Sequence, residues 1–273
     1  MTPLGRFGLG LGLSAVMLWS LAPFVWQLLT SVTPPAELEA HSALFPSAPT
    51  LVHYRAILAG QPFGRLMLNS FVAASGATLL ALVLGSLAGF ALAKLHAPGR
   101  VATLAVVVTL SMLPPIATVS PLFLIVNALG MHDTLAALIL VYAGFALPLA
   151  VWLMTQFFRG VPDELYIAAR VDGCSAIGAF MRVMLPLAVP GLVATALLVF
   201  IYAWNEFLYA LSLTASTASR TMPVGIALFP GIHEVPWGEI AAGSVLATIP
   251  AVLLAISFQR RVLEGLTAGA VKA

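Results

Sequence analysis

The chain has 273 residues, of which 61% are hydrophobic and 8% charged, with a formal net charge of +2. A soluble domain carries roughly 25% charged residues, so the twelve basic and ten acidic side chains here cannot hydrate the exterior of a protein this size, and an ordinary soluble enzyme is excluded. The small, scattered positive charge leaves no nucleic-acid footprint, and a single cysteine, Cys174, excludes an internal disulfide and any multi-cysteine metal site.

A helix that crosses ~30 Å of hydrocarbon needs about 20 mostly apolar residues. Six runs without Asp, Glu, Lys or Arg satisfy this: 7–36, 66–93, 101–132, 134–158, 183–205 and 240–259. They are continuous, not alternating, which argues against a membrane barrel. The predicted fold class is all-α, a polytopic membrane protein with six transmembrane helices. The first run resembles a signal peptide, but no small-x-small cleavage site ends it and it continues through Trp19, Trp26 and Gln27, which predicts a retained helix. The expected division is a first helix with its following loop, 1–65, a five-span core, 66–260, and a tail, 261–273.

Lys and Arg in flanks and short loops remain on the cytoplasmic side. With the N-terminus inside, that side holds Arg6, Lys94, Arg100, Arg159, Arg170, Arg182, Arg260, Arg261 and Lys272, against Arg55, Arg65 and Arg220 on the other. Both termini and the connections 94–100 and 159–182 are therefore expected in the cytoplasm, with 33–65, 126–133 and 213–239 facing outward. Gly76, Gly85, Gly89 and Ala93 in the second run would let another backbone approach closely. Pro114, Pro115 and Pro121 in the third run, Pro148 in the fourth, Pro190 in the fifth and Pro250 in the sixth each remove a backbone donor. Such breaks suit either packing kinks or a water-lined cavity.

The longest charged cytoplasmic insertion is 159–186, RGVPDELYIAARVDGCSAIGAFMRVMLP. Pro162, Asp163 and Glu164 form a favourable first helical turn. A helix continued over 163–178 sets Leu165, Ala168, Ala169, Asp172, Gly173 and Ala176 along one side, a face of mostly small side chains. Glycine within a helical pattern costs ~1 kcal/mol relative to alanine, so Gly173 marks a bend or a close approach. Two readings of this face stand: a close-contact surface, or a solvated amphipathic connector.

Ala168-Ala169-Arg170-Val171-Asp172-Gly173, followed after nine residues by Val183-Met184-Leu185-Pro186, resembles the EAA loop of binding-protein-dependent ABC importer permeases. That loop reads EAA, three residues, Gly, nine residues, Ile-x-Leu-Pro; here Ile167 stands in place of the usual Glu, and Val183 in place of Ile. Asn69-Ser70, Phe90-Ala91-Leu92-Ala93-Lys94 with Pro98-Gly99-Arg100, Leu113-Pro114-Pro115, Trp204-Asn205-Glu206-Phe207 and Gly265-Leu266-Thr267-Ala268-Gly269-Ala270-Val271-Lys272 extend the resemblance over nearly the whole chain. It is most similar to the second permease subunit of carbohydrate importers of the maltose and trehalose type. The resemblance implies the type I ABC importer permease fold and import of a sugar, such as the disaccharides trehalose or maltose. It also implies a coupling helix at about 163–178, with Asp163, Glu164, Leu165, Ala168, Ala169, Asp172, Gly173 and Ala176 at the contact with a cytoplasmic ATPase. The implied partners are a different permease chain, two ATPase subunits that carry the ATP and Mg, and an extracytoplasmic solute-binding protein; no cofactor is implied in this chain. The expected location is a bacterial cytoplasmic membrane.

Glu206 lies at the end of an apolar segment, and a carboxylate near hydrocarbon is a functional candidate. With Trp204 and Asn205 it offers an aromatic face and polar groups suited to sugar hydroxyls, and Asn69 is a further candidate for the solute path. The competing reading places Trp204 and Tyr209 in the interfacial aromatic belt, with Glu206 reaching water. An ion-coupled secondary transporter that titrates Glu206 is the alternative function. The sequence has no G-x-x-x-x-G-K-[ST] phosphate loop, and His41, His53, His96, His132 and His233 lack metal-ligand spacing. These features predict neither catalysis nor a metal site in the chain.

Overall fold

The computed structural model describes residues 3–40, 45–60, 62–95, 99–229 and 235–270, with side chains between 7 and 259. His41, His96, Pro98, Pro230 and His233, and the side chains of the tail, lie outside the described residues. The described chain is helical. In order the helices are α1 (Pro3–Val32), α2 (Pro35–Ala40), α3 (Val52–Gly60), α4 (Phe63–Lys94), α5 (Arg100–Leu110), α6 (Pro115–Ala128), α7 (Leu135–Gly160), α8 (Asp163–Val171) and α9 (Ala176–Ala179). A π-helical turn (Phe180–Met184) leads into α10 (Leu185–Leu187), followed by α11 (Val189–Trp204), α12 (Leu208–Leu213), α13 (Met222–Ala227) and α14 (Trp237–Ala270).

Each of the six apolar runs corresponds to one long helix or one bent pair. Helices Phe7–Val32, Phe63–Lys94, Leu135–Gly160 and Trp237–Gln259 are long and apolar enough to cross a membrane unbroken. The third run is instead α5 and α6, bent by 92°, and the fifth is Ala176–Leu187 and Val189–Trp204, bent by 79°. The prolines decide this unequally. Pro114 is the extended N-cap of α6 and Pro115 its first residue, so the pair ends one helix and starts the next. Pro121, Pro148 and Pro250 sit inside helices that continue through them.

The chain divides into two compact units, residues 1–64 with 225–249, and 65–224 with 250–273. In the first unit the apolar length of α1 is exposed, Phe7, Leu11, Trp19 and Trp26 included. Near its end Ser31 hydrogen-bonds to the Tyr54 hydroxyl of α3 at 2.8 Å. Buried His53 donates from Nε2 to the Thr33 carbonyl at 2.9 Å and sets Nδ1 3.2 Å from Glu239.

The second unit is built on α4, α7 and α11. α7 packs along α11, and its core joins Ala73, Ala74 and Ala77 to Leu138, Val141, Tyr142, Phe200, Trp204 and Tyr209. The close approach expected of the α4 glycines is present. A methyl group on Gly85 would stand 2.7 Å from Ala150 Cβ, and one on Gly89 would stand 2.8 Å from both Met154 Cβ and the Thr155 nitrogen. Because backbone opposes backbone here, neither helix yields by a side-chain rotation.

Gly89→Val is therefore expected to force α4 from α7 and to destabilise the protein by about 1–3 kcal/mol. Thermal melting in detergent should show a lowered midpoint, whereas Gly144→Ala, where the added methyl meets nothing within 4 Å, should melt like the wild type.

Candidate functional site

α7 is 26 residues long, about 39 Å at 1.5 Å per residue, and the candidate residues gather at its two ends. At its C-terminal end the chain leaves the helix through Val161 and Pro162 and starts α8, with Asp163 and Glu164 in the first turn. Lys94, the last residue of α4, lies beneath this corner and is 3% exposed. Its ammonium donates to the Val161 carbonyl at 2.6 Å and to the Asp163 carboxylate. Phe90, Phe158, Phe180, Met154 and Met184 form an apolar cluster, with Phe90 packed edge-on to Tyr166 of α8.

The continuous helix expected over 163–178 is corrected by the structure. α8 stops at Val171, and Gly173 has a φ of +86°, a left-handed conformation open to glycine at little cost. The Cys174 amide donates to Ala169 O at 3.0 Å and the Gly173 amide to Arg170 O at 3.2 Å, the paired bonds of a Schellman stop. Ser175 then caps α9 by accepting from the Gly178 amide at 3.0 Å. Gly173 thus makes a bend, the first of the two possibilities its position allowed, and no neighbour within the described chain crowds it.

The bend redistributes the expected face. Ala169 is buried and Ala176 half-buried, whereas Asp163, Glu164, Leu165, Ala168, Asp172 and Gly173 are exposed. Three residues that sequence reasoning did not select stand furthest out: Ile167 at 57% exposure, Val171 at 80% and Ile177 at 67%. The outward surface is branched and apolar, edged by carboxylates, and the small residues include those turned inward. Runs of isolated branched residues in a charged insertion were the available signal; their direction depended on where the helix stopped.

The N-terminal end of α7 carries the second group. Trp204 is buried and stacked on Phe200 at 5.6 Å, and Asn205 is exposed, its amide donating to Ile201 O at 2.8 Å. The Glu206 carboxylate accepts from the amides of Tyr209 at 2.8 Å and Ala210 at 3.0 Å. It thereby satisfies the open donors at the start of α12, where a negative charge also suits the helix dipole. Asn69 is buried and donates to the carbonyls of Thr217 and Arg220 at 3.1 and 2.8 Å. Trp204, Asn205 and Glu206 share one turn, while Asn69 holds the loop after α12. Beside it, Ser70 Oγ accepts from the Met222 amide at 2.7 Å.

Asp133, absent from the sequence-level candidates, is the main clamp on that loop. Its backbone has a φ of +60°. Its carboxylate accepts from the amides of Ala215 at 2.8 Å and Ser216 at 3.0 Å, and from the Ser219 hydroxyl. Burial acts to raise its pKa, but these hydrogen bonds outweigh it and hold the group well below the ordinary carboxylate range. A carboxyl depressed in the folded state contributes fully above its unfolded pKa of ~3.9, and that contribution is lost as the pH falls below this value.

The description "Binding-protein-dependent transport system inner membrane component" fits residues 81–266. The chain belongs to this family. This permease component is 44% identical over 256 residues to the trehalose transport system permease protein SugB of Mycobacterium tuberculosis, with 93% of each chain covered. It is 39% identical to the trehalose/maltose transport system permease protein MalG of Thermococcus litoralis, with 98% of each covered. It is also 39% identical to the sulfoquinovosyl glycerol transport system permease protein SmoH of Agrobacterium fabrum, with 95% of this chain and 91% of that one covered. In fold it matches a chain of a bacterial ABC transporter involved in the import of alginate, with a TM-score of 0.79 at 20% identity over 95% of this chain and 98% of that one. The all-α type I importer permease fold expected from the sequence is the fold of this membrane-embedded transport component, and the ion-coupled alternative gives way to it.

Gly173→Val places a β-branched residue at positive φ and is expected to cost about 1–3 kcal/mol locally. Limited proteolysis of the permease should show faster cleavage within 170–176 while the long helices remain protected. Asp133→Ala should remove amide-exchange protection at Ala215 and Ser216. In the wild type that protection should persist from pH 8 to pH 5 and decline only below about pH 4.

Proposed function

We propose that this chain is one of two different permease subunits of an ATP-driven importer for a disaccharide such as trehalose or maltose. It lies in a bacterial cytoplasmic membrane with both termini inside. The sugar assignment is supported by the relatives with trehalose and trehalose/maltose transport names, and the orientation by the nine basic residues on one side against three on the other.

The observation that carries the coupling role is the elbow of α8 and α9. Ile167, Val171 and Ile177 are exposed beside Glu164 and Asp172 at a charged end of the bundle. Branched apolar side chains held out among carboxylates suit a protein groove better than water or hydrocarbon. The groove belongs to an ATPase subunit, two copies of which bind the ATP and Mg, so that no cofactor is needed in this chain. ATP-driven closure displaces the elbow, and the packed helices convert that displacement to alternating access.

The opposite end, with 129–134 and the pinned loop 214–221, faces the extracytoplasmic solute-binding protein. The Trp204–Glu206 turn is the candidate lining of the solute path. Asn205 offers its exposed amide, Glu206 fixes the turn through α12, and Trp204 and Asn69 hold it from behind.

Reconstitution with the partner permease, ATPase and binding protein tests the reading. Trehalose or maltose uptake should require ATP and all four components, and Val171→Asp should weaken retention of the ATPase about tenfold, as for loss of an interface hot spot. Uptake driven by an ion gradient without the ATPase, or full ATPase retention by Val171→Asp, would overturn it.

A further inference from the structure

Lys94 joins three helices through one nitrogen. It ends α4, it donates to Val161, the residue capping the C-terminus of α7, and it pairs with Asp163 in the first turn of α8. A buried ammonium is expensive unless its donors are satisfied by charge and hydrogen bonds. With Lys94 3% exposed, drawing α8 away from α4 would leave that cation buried without its carboxylate. The surrounding contacts are apolar and allow sliding. The Phe90 ring meets Tyr166 at 5.7 Å and Phe180 at 5.1 Å, but stacked rings fix distance more loosely than an ion pair fixes an atom. Beyond this corner, α4 is locked to α7 by the Gly85 and Gly89 contacts.

We propose that Lys94 is a positioning residue that ties the start of α8 to the α4–α7 pair, so that displacement of the elbow is delivered to the membrane helices and not absorbed at the Val161–Pro162 corner. The proposal rests on the reading that the elbow docks on the ATPase.

The test uses the complete transporter in proteoliposomes and reads solute imported per ATP hydrolysed, a ratio that a general loss of folded protein does not change. Lys94→Met, which keeps the aliphatic stem, should retain the ATPase and its hydrolysis while the ratio falls roughly five- to tenfold, in the range of typical coupling free energies. Lys94→Arg, which retains the charge, should restore most of the ratio. An unchanged ratio in Lys94→Met overturns the proposal, as does a parallel loss of hydrolysis, uptake and ATPase retention that Lys94→Arg does not rescue. If Lys94→Met fails to assemble, Asp163→Asn decides: a lowered ratio supports the tie and an unchanged one overturns it. Val171→Asp separates the two readings, since failure of the docking assignment appears there as full ATPase retention, whatever the Lys94 variants do.

Discussion

Wherever an apolar helix breaks, its open backbone groups must find partners inside the protein, because lipid offers none. This chain breaks at both ends of α7 and has only ten carboxylates with which to respond. Asp133 gathers the amides of Ala215 and Ser216, Glu206 those of Tyr209 and Ala210, and Lys94 the Val161 carbonyl. Each lies in a turn beside a long helix. The scarce charges are used as clamps on backbone, and the two sites of interest lie where those clamps lie.

The clamps work against a stiff reference. The α4 and α7 backbones meet at Gly85 and Gly89 with no room for a methyl group, so the two helices have a single register available. α12 and the loop after it are fixed from α7's N-terminal end by Asp133 and from α4 by Asn69 and Ser70. At the opposite end Lys94 fixes α8. The short elements that make the candidate surfaces are therefore referred to one pair of long helices, which supplies the geometry that a transport protein needs at both faces.

Much of the fold was legible because hydrocarbon imposes a length on apolar runs, and all six runs reappear as helices or bent pairs. The glycine contacts were legible too, since only small residues permit close approach. Proline was read less well: Pro114 and Pro115 turn the chain through 92°, whereas Pro148 and Pro250 do not interrupt their helices, and sequence spacing does not separate a tolerated kink from a stop. At the site, the carboxylates of α8's first turn were expected. The face was not, because helical periodicity was carried past Gly173, and Ile167, Val171 and Ile177 were left out. Asp133 escaped because its partners lie 82 to 86 residues ahead, a pairing no local pattern encodes. Glu206 was noticed for its charge, but its use as a cap on α12 depends on α11 ending where it does.

The Gly173 stop is made by main-chain bonds, from the Cys174 and Gly173 amides to the carbonyls of Ala169 and Arg170. None of these bonds involves the side chain at 167, which points away from the turn and is more than half exposed. The shape of the elbow and the chemistry of its surface are thus separable properties. An isoleucine can occupy a position where kindred loops carry a glutamate without disturbing the bend. Selection is then free to rewrite which cytoplasmic surface the elbow fits while the membrane machinery behind it stays the same.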